Sequence, residues 1–125
     1  MDVGQLFAYS YVLILSAVVV FQLCLIFGVP WGEYTQGGRY KGTLPVNGRI
    51  AAGFSIPILI FLGASISSAA GLIPVWERWT AYVAIAIQSL NTILNWISPS
   101  QKEKLLWGPI TSFLLLFAAY VVFVN

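Results

Sequence analysis

Histidine is absent from this sequence of 125 residues, and cysteine occurs once, as Cys24. Without histidine there is no Ser-His-Asp triad, and a single thiol cannot supply the ligands of a zinc or haem site. One cysteine also excludes an intrachain disulfide and a Cys-x-x-Cys redox pair. The sequence therefore predicts a protein that is not an enzyme and that holds no metal and no cofactor.

Charged residues are also scarce. They make up 8% of the chain, against roughly 25% in soluble domains, while 59% of the residues are apolar. So few charges cannot cover a water-facing surface, and the composition excludes disordered and disulfide-rich classes. The net charge of +2 is too small to predict a nucleic acid partner. The composition indicates an integral membrane protein whose first partner is the lipid bilayer.

The positions of the charges divide the chain into four uncharged runs. Each run reaches the ~20 residues that a helix needs to cross the hydrocarbon core, and none alternates as a barrel strand does. The predicted spans are about 5–27, 50–72, 79–97 and 105–124. The fold class predicted for the single domain 1–125 is all-α, an integral membrane four-helix transmembrane bundle with antiparallel up-down topology.

The basic residues predict the orientation. The loops 28–49 and 98–104 share one face of the bundle and hold Arg39, Lys41, Arg49, Lys102 and Lys104, whereas the other face holds Arg78. Lysine and arginine in short loops favour the cytoplasmic side. Both loops are therefore predicted to be cytoplasmic, and the N and C termini to lie outside.

The loop 28–49 is long, with six glycines and interleaved aromatic and basic residues. Amphipathic rings and cations suit an ordered segment at the headgroup layer, in contact with lipid or a partner protein. An alternative is a site for a small anion or lipid headgroup, in which the amides of a Gly-Gly pair form a nest. Nucleotide binding is not predicted, because the phosphate-loop spacing is missing. The candidate contact residues are Trp31, Tyr34, Gly37, Gly38, Arg39, Tyr40, Lys41 and Arg49.

Two helix faces stand out. Helix three has a polar face that bonds to neighbouring helices or lines a solute pathway, formed by Gln88, Asn91, Thr92 and Asn95. Tyr11 and Gln22 on helix one share a face, and either could bond these amides. Helix two has a ridge of small residues for close packing, inside the bundle or between protomers, formed by Gly63, Ser67 and Gly71.

Local signals predict where helices begin. Asn47-Gly48 is a turn dipeptide expected ahead of helix two. Ser100-Gln101-Lys102-Glu103 has the spacing of a capping box at the start of helix four, with the Ser100 hydroxyl accepting from the backbone near Glu103.

The sequence resembles a group of small bacterial integral membrane proteins of about this length. The matching features are a Gly-x-Pro-Trp-Gly motif after the first span, then a Gly-Gly, a Leu-Pro and an Arg entering the second span. Late in the chain they are an Asn and a Ser, a charged turn, and a Trp-x-Pro that opens the last helix. In this chain they are Gly28, Pro30, Trp31, Gly32, Gly37, Gly38, Leu44, Pro45, Arg49, Asn95, Ser98, Glu103, Trp107 and Pro109. The resemblance implies a four-helix architecture in the bacterial inner membrane and implies no activity.

Two functions remain open at this point. The first is a non-enzymatic accessory or structural membrane component whose loop 28–49 contacts lipid headgroups or a partner. The alternative is a small oligomeric channel or facilitator that uses the polar face of helix three. A vestibule lined by these amides would favour transport, and direct bonds to neighbouring helices would favour a packed bundle.

Overall fold

The computed structural model describes residues 1–124, and they form an all-helical bundle. The helices are α1 (Val3–Ile26), α2 (Val46–Ala69), α3 (Arg78–Trp96) and α4 (Gln101–Ala119), and α4 continues as a π-helical turn over Tyr120–Val124. Two 3₁₀ turns, Gly32–Tyr34 and Gln36–Gly38, lie between α1 and α2. Helices adjacent in sequence pack together, and α1 also contacts α4. The predicted all-α bundle is confirmed.

Three helices of the described chain are long and apolar enough to cross a membrane: α1, α2 and α4 with its π-helical turn. The chain therefore has the character of a membrane protein. Helix α3 has 19 residues, so it measures about 28 Å, but Arg78 and the amides of its polar face lower its hydropathy. Its role as the fourth span stays a prediction.

The core fills the half of the bundle farthest from the α1–α2 connection. Small side chains allow the four helices to approach closely there, and the large residues between them are completely enclosed. The residues of this core that have no exposed surface are Ala8, Tyr11, Ile66, Ala81, Ala84, Ala118 and Val121.

The start of α2 differs from the prediction. Asn47-Gly48 is not a turn ahead of the helix, because α2 begins at Val46 after Pro45, whose φ of −70° suits a helix entrance. Gly48 lies in the first turn, where an added Cβ would be 3.2 Å from the Leu44 side chain. The glycine therefore permits Leu44 of the preceding connection to lie close to the first turn of the helix. The connection between α1 and α2 is residues 27–45, called loop one below.

The small-residue ridge of α2 is divided. Gly63 faces α1, where an added Cβ would lie 3.6 Å from Leu15. The Ser67 hydroxyl donates to the Ile73 carbonyl at 2.7 Å. Gly71 lies beyond the end of α2 with φ of +83°, and the Leu72 amide donates to the Ser67 carbonyl at 3.1 Å. The prediction that Gly71 belongs to the ridge is therefore wrong, because a left-handed glycine here ends the helix.

Candidate ligand vestibule beneath loop one

Loop one lies folded against the bundle. The Gly32 amide donates to the Gly42 carbonyl at 2.8 Å, which draws the two halves of the loop together. Leu44 is 1% exposed and belongs to a small apolar cluster with Leu25 and Ala52. Leu44 therefore attaches the end of the loop to both of the helices that the loop connects.

The start of α4 provides a second attachment. Ser100 caps the helix by accepting from the Glu103 amide at 3.2 Å, as the capping box predicts, and its hydroxyl donates to the Glu33 carbonyl at 2.5 Å. The Glu103 carboxylate does not complete the box. It accepts instead from the Gly37 amide of loop one at 3.2 Å, while the Ser100 amide donates to Ser98.

Aromatic side chains add to this attachment. The Trp107 indole donates to the Tyr34 carbonyl at 2.9 Å. Trp31 stacks on Phe21 of α1 with ring centroids 5.6 Å apart, and one face of its indole remains accessible. Loop one is therefore held by α1, α2 and α4 together.

An ion pair joins the same two segments. Lys102 Nζ lies 2.6 Å from the Glu33 carboxylate. The hydrogen bond and charge of Lys102 lower the pKa of Glu33, and Glu33 raises the pKa of Lys102. A lowered carboxyl pKa means that the pair stabilises the fold at neutral pH and that this stabilisation is lost as the pH falls through the folded pKa. Lys102 is exposed and Glu33 is partly exposed, so the contribution is small.

The predicted anion nest already uses its amides internally. The Gly37 amide donates to Glu103, and the Gly38 amide donates to the Thr35 carbonyl at 2.9 Å. Arg39 and Lys41 are exposed on the outer surface of loop one. The nest prediction is therefore corrected, because the Gly37 amide already donates to the Glu103 carboxylate of the protein itself.

Two more of the predicted contact residues hold loop one in place. Arg49 donates to the Leu44 carbonyl at 2.9 Å and so fastens the end of loop one. The Tyr40 ring packs against the cluster of Leu25, Leu44 and Ala52. Both side chains serve the attachment of the loop.

Beneath loop one the helices enclose a vestibule of about 650 Å³. Its floor is apolar and includes the buried side chains of Leu15, Leu62 and Leu114. Its polar lining is concentrated towards loop one and the start of α4. The polar residues that line it are Gln22, Thr35, Gln36, Ser55, Asn91, Asn95, Ser98, Glu103 and Thr111.

The polar face of α3 is divided between packing and vestibule. The Tyr11 hydroxyl donates to Gln88 Oε1 at 2.9 Å, and Thr92 donates to the Thr111 carbonyl at 3.1 Å. These bonds tie α3 to α1 and α4, and the expected bond from Tyr11 to a helix-three amide is confirmed.

Asn91 and Asn95 belong to the other part of this face. They line the vestibule and are joined to each other, because Asn95 Nδ2 donates to the Asn91 carbonyl at 2.8 Å. Gln22, the second candidate partner on α1, also lines the vestibule and makes no side-chain hydrogen bond within residues 1–124.

One side of the vestibule is open. Its rim between α2 and α3 carries apolar side chains that are about half exposed or more, namely Ile58, Leu90, Leu94 and Ile97. In a bilayer, such side chains face acyl chains. On this side the vestibule is therefore open to the apolar outer surface of the bundle.

Sequence reasoning assigned Glu103 to helix capping alone. The carboxylate also lines the vestibule and is 9% exposed. The sequence carries no signal for this role, because it depends on loop one lying across the start of α4.

Comparison of the chain with models of known protein families, with curated proteins and with solved structures finds no match.

Proposed function

We propose that this protein is a non-enzymatic membrane component that holds a lipid-like amphiphile in the vestibule beneath loop one. The observation that carries the proposal is the 650 Å³ cavity with an apolar floor and a polar end. Ligand cavities commonly have volumes of about 300–1,000 Å³ and few polar groups among apolar ones. The lateral opening between α2 and α3 suits a ligand that arrives from the bilayer.

The outer surface of loop one supports the same function. Arg39 and Lys41 are exposed, and Trp31 of the same loop is 41% exposed. Basic side chains near an anionic leaflet are attracted by about 1 kcal/mol each. We propose that this surface rests at the cytoplasmic headgroup layer and so places the vestibule at the depth where lipid heads end and acyl chains begin.

Conduction through a single bundle has less support. Beyond the vestibule floor lie the Tyr11–Gln88 bond and the core residues with no exposed surface. A solute that entered the vestibule would meet a close-packed half of the bundle. A channel would require a pathway shared between protomers.

A larger side chain at position 22 would fill the vestibule without breaking a hydrogen bond of Gln22 within residues 1–124. We expect Gln22→Trp to reduce lipid retention at least roughly tenfold, which corresponds to about 1.4 kcal/mol, because the indole takes the ligand's volume. Native mass spectrometry of the protein released from mild detergent micelles measures the fraction that carries a bound lipid.

The matched control is Leu23→Trp, which adds the same indole to the next residue of α1. Leu23 is 40% exposed and does not line the vestibule. Its substitution is expected to leave retention unchanged. Equal retention by wild type and both variants, all folded, would contradict the proposed function.

A further inference from the structure

We propose that the vestibule selects an amphiphile whose head carries a protonated amine, and that Glu103 is the residue that recognises it. The inference rests on the proposed function and names the chemical class of its ligand. The geometry behind it is a carboxylate placed at the polar end of an otherwise apolar cavity.

Glu103 lacks a compensating cation. Within residues 1–124, its carboxylate has no salt-bridge partner, whereas the neighbouring Lys102 pairs with Glu33. One oxygen of Glu103 accepts from the Gly37 amide. A buried carboxylate is costly unless it is paired or well hydrogen-bonded, so a bound cation would offset this cost.

The surrounding groups also present acceptors. Asn95 uses its amide nitrogen to donate to Asn91, and Gln36 uses its amide nitrogen to donate to the Gly48 carbonyl at 2.9 Å. The carbonyl oxygens of these two side chains accept no hydrogen bond within residues 1–124. An ammonium group offers three donors and no acceptor, so it matches one carboxylate and two amide oxygens.

Other head groups match this set less well. An anionic head would be repelled by Glu103 and would find no basic side chain in the lining of the vestibule. A hydroxyl head could donate to Glu103 but would leave the negative charge of the Glu103 carboxylate unpaired. The arrangement therefore ranks an amine head above a hydroxyl head, and a hydroxyl head above an anionic one.

The test compares three probes with the same twelve-carbon chain: dodecylamine, dodecanol and dodecyl sulfonate. Each is added at the same low mole fraction to maltoside micelles that contain the full chain at pH 7, and native mass spectrometry reports the bound fraction. Dodecylamine is expected to bind about tenfold more tightly than dodecanol, the ratio typical of one charge-assisted hydrogen bond. Dodecyl sulfonate is expected to bind most weakly.

Two variants test whether Glu103 causes the preference for the amine. Glu103→Gln retains an acceptor for the Gly37 amide and leaves the Ser100 cap in place, so the bundle is expected to stay folded while the preference for the amine disappears. Glu33→Gln removes a nearby carboxylate that does not line the vestibule and is expected to leave the preference intact.

The outcomes separate this inference from the function on which it rests. If all three probes bind equally and Gln22→Trp blocks them, the amine selection is wrong and the amphiphile function stands. If none binds, or if Gln22→Trp blocks nothing, both are overturned. A preference that survives in Glu103→Gln overturns the role of Glu103.

Discussion

Replacing Gly32 with alanine is expected to release loop one from the bundle. The new Cβ would lie 2.3 Å from the Tyr40 carbonyl oxygen and 2.6 Å from the Gly42 carbonyl oxygen. Both contacts are with backbone atoms, so no side-chain rotation relieves them. The hydrogen bond between Gly32 and Gly42 would be broken as well, and overpacking of this kind costs about 1–3 kcal/mol or more.

Limited trypsin digestion in bilayers measures the release, because Arg39 and Lys41 lie on the exposed part of the same loop. Faster cleavage at these two residues is expected in Gly32→Ala than in wild type. Gly53→Ala is the control, since its Cβ would meet its nearest neighbour at 4.0 Å and a helical alanine is favoured. Identical cleavage of Gly32→Ala and wild type would contradict the described loop geometry.

Gly108→Val is expected to have the second large effect, through the contact between α3 and α4. The Trp96 indole covers Gly108 so closely that a Cβ would lie 2.9 Å from two ring carbons. The indole is also held by its hydrogen bond to the Ser112 hydroxyl at 2.8 Å. A valine at this position forces the indole away, and we expect a loss of about 2 kcal/mol in the free energy of unfolding.

A double-mutant cycle isolates this contact. Once Trp96 is replaced by alanine, Gly108→Val has no indole to displace and is expected to cost much less. Reversible unfolding in mixed micelles, followed by circular dichroism, gives the four free energies. Additive effects of the two substitutions would show that the indole does not lie over Gly108.

The helices could be predicted from the sequence because their signals are local. Charge-free runs and the Ser100 cap depend on residues close together in the chain, and both led to the helices that the structure shows. The start of α2 could not be predicted in this way. Asn47-Gly48 has the signature of a turn, yet Gly48 lies in the first turn of the helix, where its missing side chain leaves room for the packing of Leu44.

The candidate site was less predictable, because it depends on how distant segments meet. The polar pattern of α3 indicated two possible roles and could not assign them to individual residues. Tyr11 donates a hydrogen bond to Gln88, which is 77 positions away in the sequence. Asn91 and Asn95 have no such partner on α1 and line the vestibule instead. Glu103 reaches the vestibule because loop one folds over α4, an arrangement that no spacing rule encodes.

The same geometry changes the interpretation of loop one. Its sequence predicted a surface that acts through its basic and aromatic residues. In the structure, its inner side closes a cavity through Thr35, Gln36 and Gly37, while Arg39 and Lys41 face outward. The loop thus has an inner side for the proposed ligand and an outer side for the proposed headgroup layer.

Photo-crosslinking in native membranes tests most directly whether the vestibule holds an amphiphile. A benzophenone side chain at Asn91 reports from inside the vestibule, and the same group at Leu13, which is 73% exposed, reports on bulk lipid. We expect the adduct at position 91 to be one lipid species with an amine head, and Gln22→Trp to abolish it while leaving the mixed adducts at position 13 unchanged. Lipid adducts of the same mixed composition at both positions, insensitive to Gln22→Trp, would contradict a selective ligand site beneath loop one.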